Sequence, residues 1–184
     1  MIENILLRIK CELNKRKLKH LGKGPNIHYS TRIKNPQYFE MGDCVYIGAN
    51  CVFEAWDEYN DKKYNPKITI GDGTMFNCFC HLGAINEISI GNDCLFGSHI
   101  MIIDHSHGSI IAEENSIHPA KRDLHSKGKI IIGNRVWVGE NVVILPSVSI
   151  GDEAIIGANA VVTNDVPAGC VAAGNPARVV KRIK

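Results

Sequence analysis

Apolar positions recur every six residues through the C-terminal third of the chain, at Ile132, Val138, Ile144, Ile150, Ile156 and Val162. All six are aliphatic and β-branched. A glycine follows four of them, and a smaller apolar residue lies four positions after each of the first five, at Val136, Val142, Val148, Ala154 and Ala160. A period of six fits neither an amphipathic helix nor an alternating strand. It predicts short strands wound into a parallel β-helix, in which each coil buries its apolar edge only against neighbouring coils.

The same count runs backwards through Ile102, Phe96 and Ile90, then Leu82, Phe76 and Ile70, then Phe53, Ile47 and Met41. Three hexapeptides close one triangular coil of about 18 residues. Two interruptions break the count. Ala55 to Lys67 is charged and aromatic and ends in Asn65-Pro66, which predicts an excursion at one corner. After Ile102 the ladder resumes only at Ile132, 30 residues on, where one hexapeptide would need six. Most of the surplus is a loop at about 108–127, and long loops in compact repeats are commonly functional. At its root stand Asp104-His105-Ser106-His107-Gly108.

Before the repeat, residues 2 to about 20 place Ile5, Leu6, Ile9, Leu13 and Leu18 at helical spacings, with basic residues between them and Gly22 and Gly24-Pro25 as a stop. The division expected is a helical cap over 1–24 and the β-helix over 25–184. The helix can cover the open end of the first coil or rest on an anionic membrane surface. Terminal repeats need capping, which favours the cover.

Composition narrows the picture. The chain has 184 residues, enough for one domain, and a net charge of +2 that gives no case for nucleic acid. It has no apolar run long enough to span a bilayer and no signal peptide, so a cytoplasmic protein is expected. Seven cysteines are an odd number, and Cys51, Cys80 and Cys94 fall in the slot that valine and alanine fill farther on. They are expected as buried filler, without metal or disulfides. A zinc β-helix of the γ-carbonic anhydrase type needs two histidines five apart, a spacing absent among His81, His99, His105, His107, His118 and His125.

The best chemical candidate is the loop root. A histidine near its ordinary pKa can take a proton from a sugar hydroxyl and later return it to a thiolate leaving group. Asp104 or a loop carboxylate could orient its ring.

The repeat, this histidine loop, the stretch "IGNRVWVGENVVILPSVSIGDEAIIGANAVVTNDVP" around Trp137 and the closing "AAGNPARVVKRI" resemble the hexapeptide-repeat acyltransferases. The likeness is greatest to the maltose and galactoside O-acetyltransferases and their polysaccharide O-acetyltransferase relatives. The resemblance implies a left-handed parallel β-helix that assembles as a homotrimer with active sites between subunits. It also implies direct acetyl transfer from acetyl-CoA to a hydroxyl of a sugar or polysaccharide precursor, with no metal. Ungapped counting from Ile90-Gly91 puts the family's catalytic histidine on His107; a gapped reading that matches an Asp-His pair selects His105. Trp137, Gly139, Gly157, Ala158, Thr163, Asn164, Arg178 and Lys181 match positions that meet coenzyme A. Asn77 and Asn86 match the acceptor side. Such an enzyme would work in the cytoplasm, in contact with the inner face of the membrane if the basic helix binds there.

Overall fold

The computed structural model describes residues 2–109, 111, 114 and 116–183, with side chains from residue 5 onward. It is a left-handed parallel β-helix with three flat faces. The first face has six strands: His20–Leu21, Phe39–Met41, Lys67–Ile70, Glu87–Ile90, Ile130–Ile132 and Ser149–Ile150. The second has eight, beginning at Asn26–Ile27 and ending with Cys170–Ala173 and Arg178–Arg182. The third has six, from Arg32–Lys34 to Val161–Val162. Every rung within a face is parallel except the last on the second face, where Arg178–Arg182 turns back antiparallel.

The ladder residues stack in register along the axis. On the third face Phe53, Leu82, Ile102, Ile144 and Val162 lie above one another. The second face carries Ile47, Phe76, Phe96, Val138 and Ile156. All of these are buried. The Phe76 and Phe96 rings stack with centroids 4.4 Å apart, and Phe53 meets Phe76 edge-on at 5.2 Å. Such stacking adds to plain area burial. The axis is widened by phenylalanine in the early coils and filled by isoleucine, valine and alanine in the late ones.

The Ile-Gly-Asp/Asn pattern has a specific cause at the first corner. The Asn134 side-chain oxygen accepts the Asn92 backbone N–H at 2.9 Å, and Asp152 does the same for Asn134 at 2.7 Å. A Cβ on Gly91 would lie 2.7 Å from that Asn134 oxygen, so only glycine leaves the acceptor room. Cysteines of the small slot are buried, as their positions imply, and also act as donors. The Cys51, Cys80 and Cys94 thiols point at the carbonyls of Asn77, Gly97 and Gly133, at 3.1, 3.2 and 3.1 Å.

The helix is Ile2–Lys15, and the coil begins at His20, ahead of both Met41 and the 24/25 boundary. Leu21, Ile27 and Ile33 already keep the period of six, but an eight-residue step through the short turn Pro36–Tyr38 hides their continuity with Met41. The helix rests on the first coil through Cys11, with Leu18 buried in the segment that follows it. Ile5, Leu6, Ile9 and Leu13 are exposed. No described helix is long and apolar enough to cross a membrane.

The two interruptions leave from the same corner, after the third face, in coils separated by one tight turn. The first forms an antiparallel pair, Glu58–Tyr59 with Lys62–Lys63. In the second, Ser106–His107 pairs antiparallel with Leu124–His125. They interlock. The Tyr59 hydroxyl donates to the Ala120 carbonyl at 2.8 Å, and the Tyr64 hydroxyl both donates to the Leu124 carbonyl (3.0 Å) and accepts its N–H (2.9 Å). Glu113, one of the loop carboxylates, lies outside the described residues.

Candidate active site

Asp104 directly follows the third-face strand Met101–Ile103 and is fully buried. A buried carboxylate must be paired or hydrogen-bonded. Its two oxygens accept the backbone N–H groups of Ile85 and Asn86, both at 2.9 Å. The same Oδ1 lies 3.0 Å from His105 Nδ1. With Nδ1–H donating there, Nε2 is left as an unprotonated acceptor, the tautomer a general base requires. The His105 side chain retains 11% of its exposure, enough to reach a reacting atom while staying fixed. His107 is exposed, and its ring meets Tyr59 edge-on at 5.2 Å.

His105, Ser106 and His107 form a partition between two cavities. On one side lies a space of about 260 Å³, lined by Glu54, Trp56, Tyr59, His81, Gly83, Ile103 and Leu124 with the partition residues. On the other side a more open space of about 860 Å³ includes Arg122, Lys127, Ser147, Thr163 and Asn164. The two interlocked excursions roof the smaller space. Its floor is Gly83, where a Cβ would meet Ile103 Cδ1 at 2.8 Å and His105 Cε1 at 3.4 Å.

The residues matched to coenzyme A divide into two sets. Thr163 and Asn164 line the larger cavity beside the histidines, joined by a bond from the Asn164 amide to Thr163 Oγ1 at 2.8 Å. Trp137, Gly139, Gly157 and Ala158 line a separate groove of about 460 Å³ on the second face, with Glu140 and Asn77. A Cβ on Gly139 would lie 2.7 Å from the Ala158 nitrogen, so small residues there keep two rungs closely stacked. Trp137 is 53% exposed. Arg178 and Lys181, both exposed, lie on the last strand of that face. Within one chain these residues do not meet the histidines. Nor do the two acceptor-side asparagines: Asn77 belongs to the Trp137 groove, and Asn86 lines a polar cleft with Lys62, Tyr64 and His125.

Glu54, Trp56, Tyr59 and His81, which the sequence did not single out for a role, face His105 across the small cavity. Glu54 Oε2 accepts from Trp56 Nε1 at 3.3 Å and lies 3.4 Å from His81 Nε2. The Lys34 ammonium sits over the Trp56 ring at 2.9 Å. Burial pulls the Lys34 pKa below its ordinary value, against the opposing pull of Glu54 and Asp57. Among the described residues no group of three or more His, Cys, Asp and Glu is placed to hold a metal ion.

Residues 129–164 match the family model described as bacterial transferase hexapeptide (six repeats). The chain is 39% identical over 160 residues to an Escherichia coli protein named as a lipopolysaccharide biosynthesis O-acetyl transferase, covering 85% of this chain and 78% of that one. It is 33% identical to the galactoside O-acetyltransferase of the same species, covering 82% of this chain and 60% of the relative. An N-acyltransferase from Bacillus cereus, solved with dTDP and coenzyme A, shares the fold at a TM-score of 0.76 and 22% identity, over 94% of this chain and 89% of that one. With the six-residue ladder and the three parallel faces, these similarities establish that the chain belongs to the hexapeptide-repeat family of acyltransferases.

Proposed function

We propose that this chain is an acetyl-CoA-dependent O-acetyltransferase acting on a sugar hydroxyl of a surface polysaccharide or its precursor. The observation that carries the reading is His105, held by a buried carboxylate at the wall between two cavities. The acceptor hydroxyl enters from the smaller cavity, and His105 Nε2 takes its proton as the oxygen attacks the thioester carbonyl. The C–S bond then breaks, and the imidazolium returns the proton to the departing thiolate. No covalent enzyme intermediate is needed. The count along the repeat favours His107 as base, whereas the geometry favours His105, because Asp104 fixes its tautomer and orientation. His107 then forms part of the partition.

Coenzyme A fits the second-face groove. Glycine and alanine give it a flat floor, Trp137 an exposed ring, and Arg178 and Lys181 charges for phosphates. Thr163 and Asn164, across on the histidine side, complete the site only when a second copy supplies one half. The outward-facing residues support a homotrimer. On the second face they run Tyr46, Met75, Leu95, Trp137, Ile155 and Val171, and on the third Val52, His81, Met101, Val143 and Val161. On the first face they are mostly polar: Glu40, Thr69, Ser89, Ile131 and Ser149. A threefold ring buries two faces of each prism and leaves the third wet.

The helix extends this reading to a cytoplasmic enzyme at the inner face of a membrane. Residues 1–24 carry seven Lys or Arg against two Glu, and Leu6, Ile9 and Leu13 stay exposed on the helix. Binding to anionic but not neutral vesicles, lost in Leu6→Glu/Leu13→Glu, tests it; unchanged binding in that variant rejects it.

The fold shared with the Bacillus cereus N-acyltransferase supports a second reading, transfer to an amino sugar. Mass spectrometry of the product before and after mild alkali separates the two. An acetyl group removed by alkali is an ester and supports O-transfer; a resistant one is an amide and overturns it.

A further inference from the structure

We infer that the small cavity selects a single uncharged pyranosyl unit, with Glu54 as the group that grips it and His81 and Trp56 holding Glu54 in place. The inference rests on the sugar-acetylating reading above and adds to it which class of sugar the site takes.

The cavity limits size first. At about 260 Å³ it lies below the range of pockets that enclose drug-sized ligands, and it suits one sugar ring. Gly83 creates that space, since any side chain there would meet Ile103 and His105. Trp56, Tyr59, Ile103 and Leu124 supply an apolar wall against which the C–H face of a pyranose can pack. A highly charged acceptor has no such complementary face.

Charge limits the class further. Glu54 is three-quarters buried, with one oxygen engaged by the Trp56 indole N–H and near His81. Among the described residues, no partner meets its Oε1. An ionised carboxylate accepts hydrogen bonds and donates none, so a ligand that meets Oε1 must bring a donor such as a hydroxyl. Asp104 places a second negative charge directly behind His105. No lysine or arginine lines the cavity; Lys34, the register partner of Glu54, sits over the Trp56 ring, and its charge is already opposed by Glu54 and Asp57. A uronic or sialic acid would bring its carboxylate into a space that already holds one and backs onto another, with no lysine or arginine in its lining to pair it. A neutral ring with two free hydroxyls meets Glu54 with one and His105 with the other. These residues come from three successive rungs of the third face, so the carboxylate and the base are fixed relative to each other by backbone register.

The test measures acetyl transfer from acetyl-CoA to methyl glucoside and methyl galactoside and to the corresponding methyl uronides, with wild type, Glu54→Gln and Glu54→Ala. Wild type should favour the neutral glycosides at least about tenfold in kcat/KM, as expected for one uncompensated like-charge contact. Glu54→Gln keeps the shape and removes the charge. It should raise the acceptor KM about tenfold, the scale of a lost hydrogen bond to a charged group, narrow the preference against uronides, and leave the acetyl-CoA KM unchanged. Glu54→Ala should show the same changes, and melting curves on both variants exclude misfolding as the cause. Equal use of uronides by wild type, or acceptor and acetyl-CoA KM values that move together in Glu54→Gln, overturns the inference while leaving sugar acetylation intact. Transfer to no glycoside, with coenzyme A still bound, overturns both.

Discussion

The last two coils, Ile130 to Val166, and the coils from Phe39 to Ile103 are built on the same ladder but close it differently. Ile132 returns to its register partner Ile150 in 18 residues, and every corner is tight. Ile90 returns to Ile132 in 42 residues, and Met41 to Ile70 in 29. The rungs are nonetheless equally well paired, because parallel backbone bonds depend on where a strand re-enters the face and hardly on where the chain has been meanwhile. Lengthening a return from 18 to 42 residues costs under about 1 kcal/mol in closure entropy. The early coils can therefore carry two long excursions at one corner, where they interlock over His105. The late coils stay smooth and offer a flat, small-residue surface to a neighbour. In the proposed reading, chemistry sits where the repeat is broken and coenzyme contacts sit where it is intact.

This division is tested most severely by mixing chains. His105→Ala alone should lower kcat by about 10²- to 10⁴-fold, the usual worth of a positioned base. Trp137→Ala should weaken coenzyme A without touching the histidines. If each active site takes its base from one chain and its groove from the next, co-expressing the two variants at equal levels, assayed at an acetyl-CoA concentration too low for Trp137→Ala alone to turn over, restores about a quarter of wild-type activity, since one interface in four pairs two intact halves. No recovery in mixed trimers would mean that both halves belong to one chain. Parallel assays of His107→Ala decide between the two histidines. A loss as large as that of His105→Ala would return the role of base to the position given by the repeat count.

A smaller effect, on stability instead of activity, is expected from the intact coils. Ile144 is fully buried between Ile102 and Val162. Ile144→Ala should cost about 2–5 kcal/mol, through lost transfer energy and a cavity that close-packed rungs cannot collapse. Calorimetry should show Tm lowered by roughly 5–15 °C, with kcat per folded molecule unchanged at lower temperature. A matching loss of kcat would show that the ladder does more than hold the corners.

How much of this was legible in the sequence follows the same division. Ile132 to Val162 shows its fold because a strict period of six requires only side-chain type, and the break after Ile102 marked Asp104, His105 and His107 by simple counting. Leu21, Ile27 and Ile33 escaped notice because the turn at Pro36–Tyr38 adds two residues before Met41. Glu54 and His81 were illegible for a stronger reason. They meet across adjacent rungs 27 residues apart, and that pairing exists only once an excursion of unknown path has rejoined the face in register. Asp104 and His105 are neighbours in sequence, but that the carboxylate is buried under the Ile85 and Asn86 amides was not readable. The separation of Trp137 from Thr163 depends on which face each corner turns toward, a property of the whole coil.

The finest test of the comparison is at Tyr64, where the excursions touch. Its hydroxyl binds both backbone groups of Leu124, and Leu124 is the register partner of His107. Burial raises its pKa, chiefly by desolvation, so the phenol stays protonated and keeps donating at any working pH. Tyr64→Phe removes two hydrogen bonds worth about 0.5–1.5 kcal/mol each and leaves the Leu124 amide unpaired. Were the roof only a stabilising strap, Tm would fall by a few degrees and kcat would not change. Because the same bonds fix the strand that carries His107 along the partition, kcat should also fall, by about three- to tenfold, while the KM for acetyl-CoA, which the proposal places mainly on the intact coils, stays constant. Loss of Tm with full kcat would confine the role of the excursions to enclosing the cavity. Loss of kcat confined to the acceptor side would instead show that the broken corner sets the geometry of the reaction.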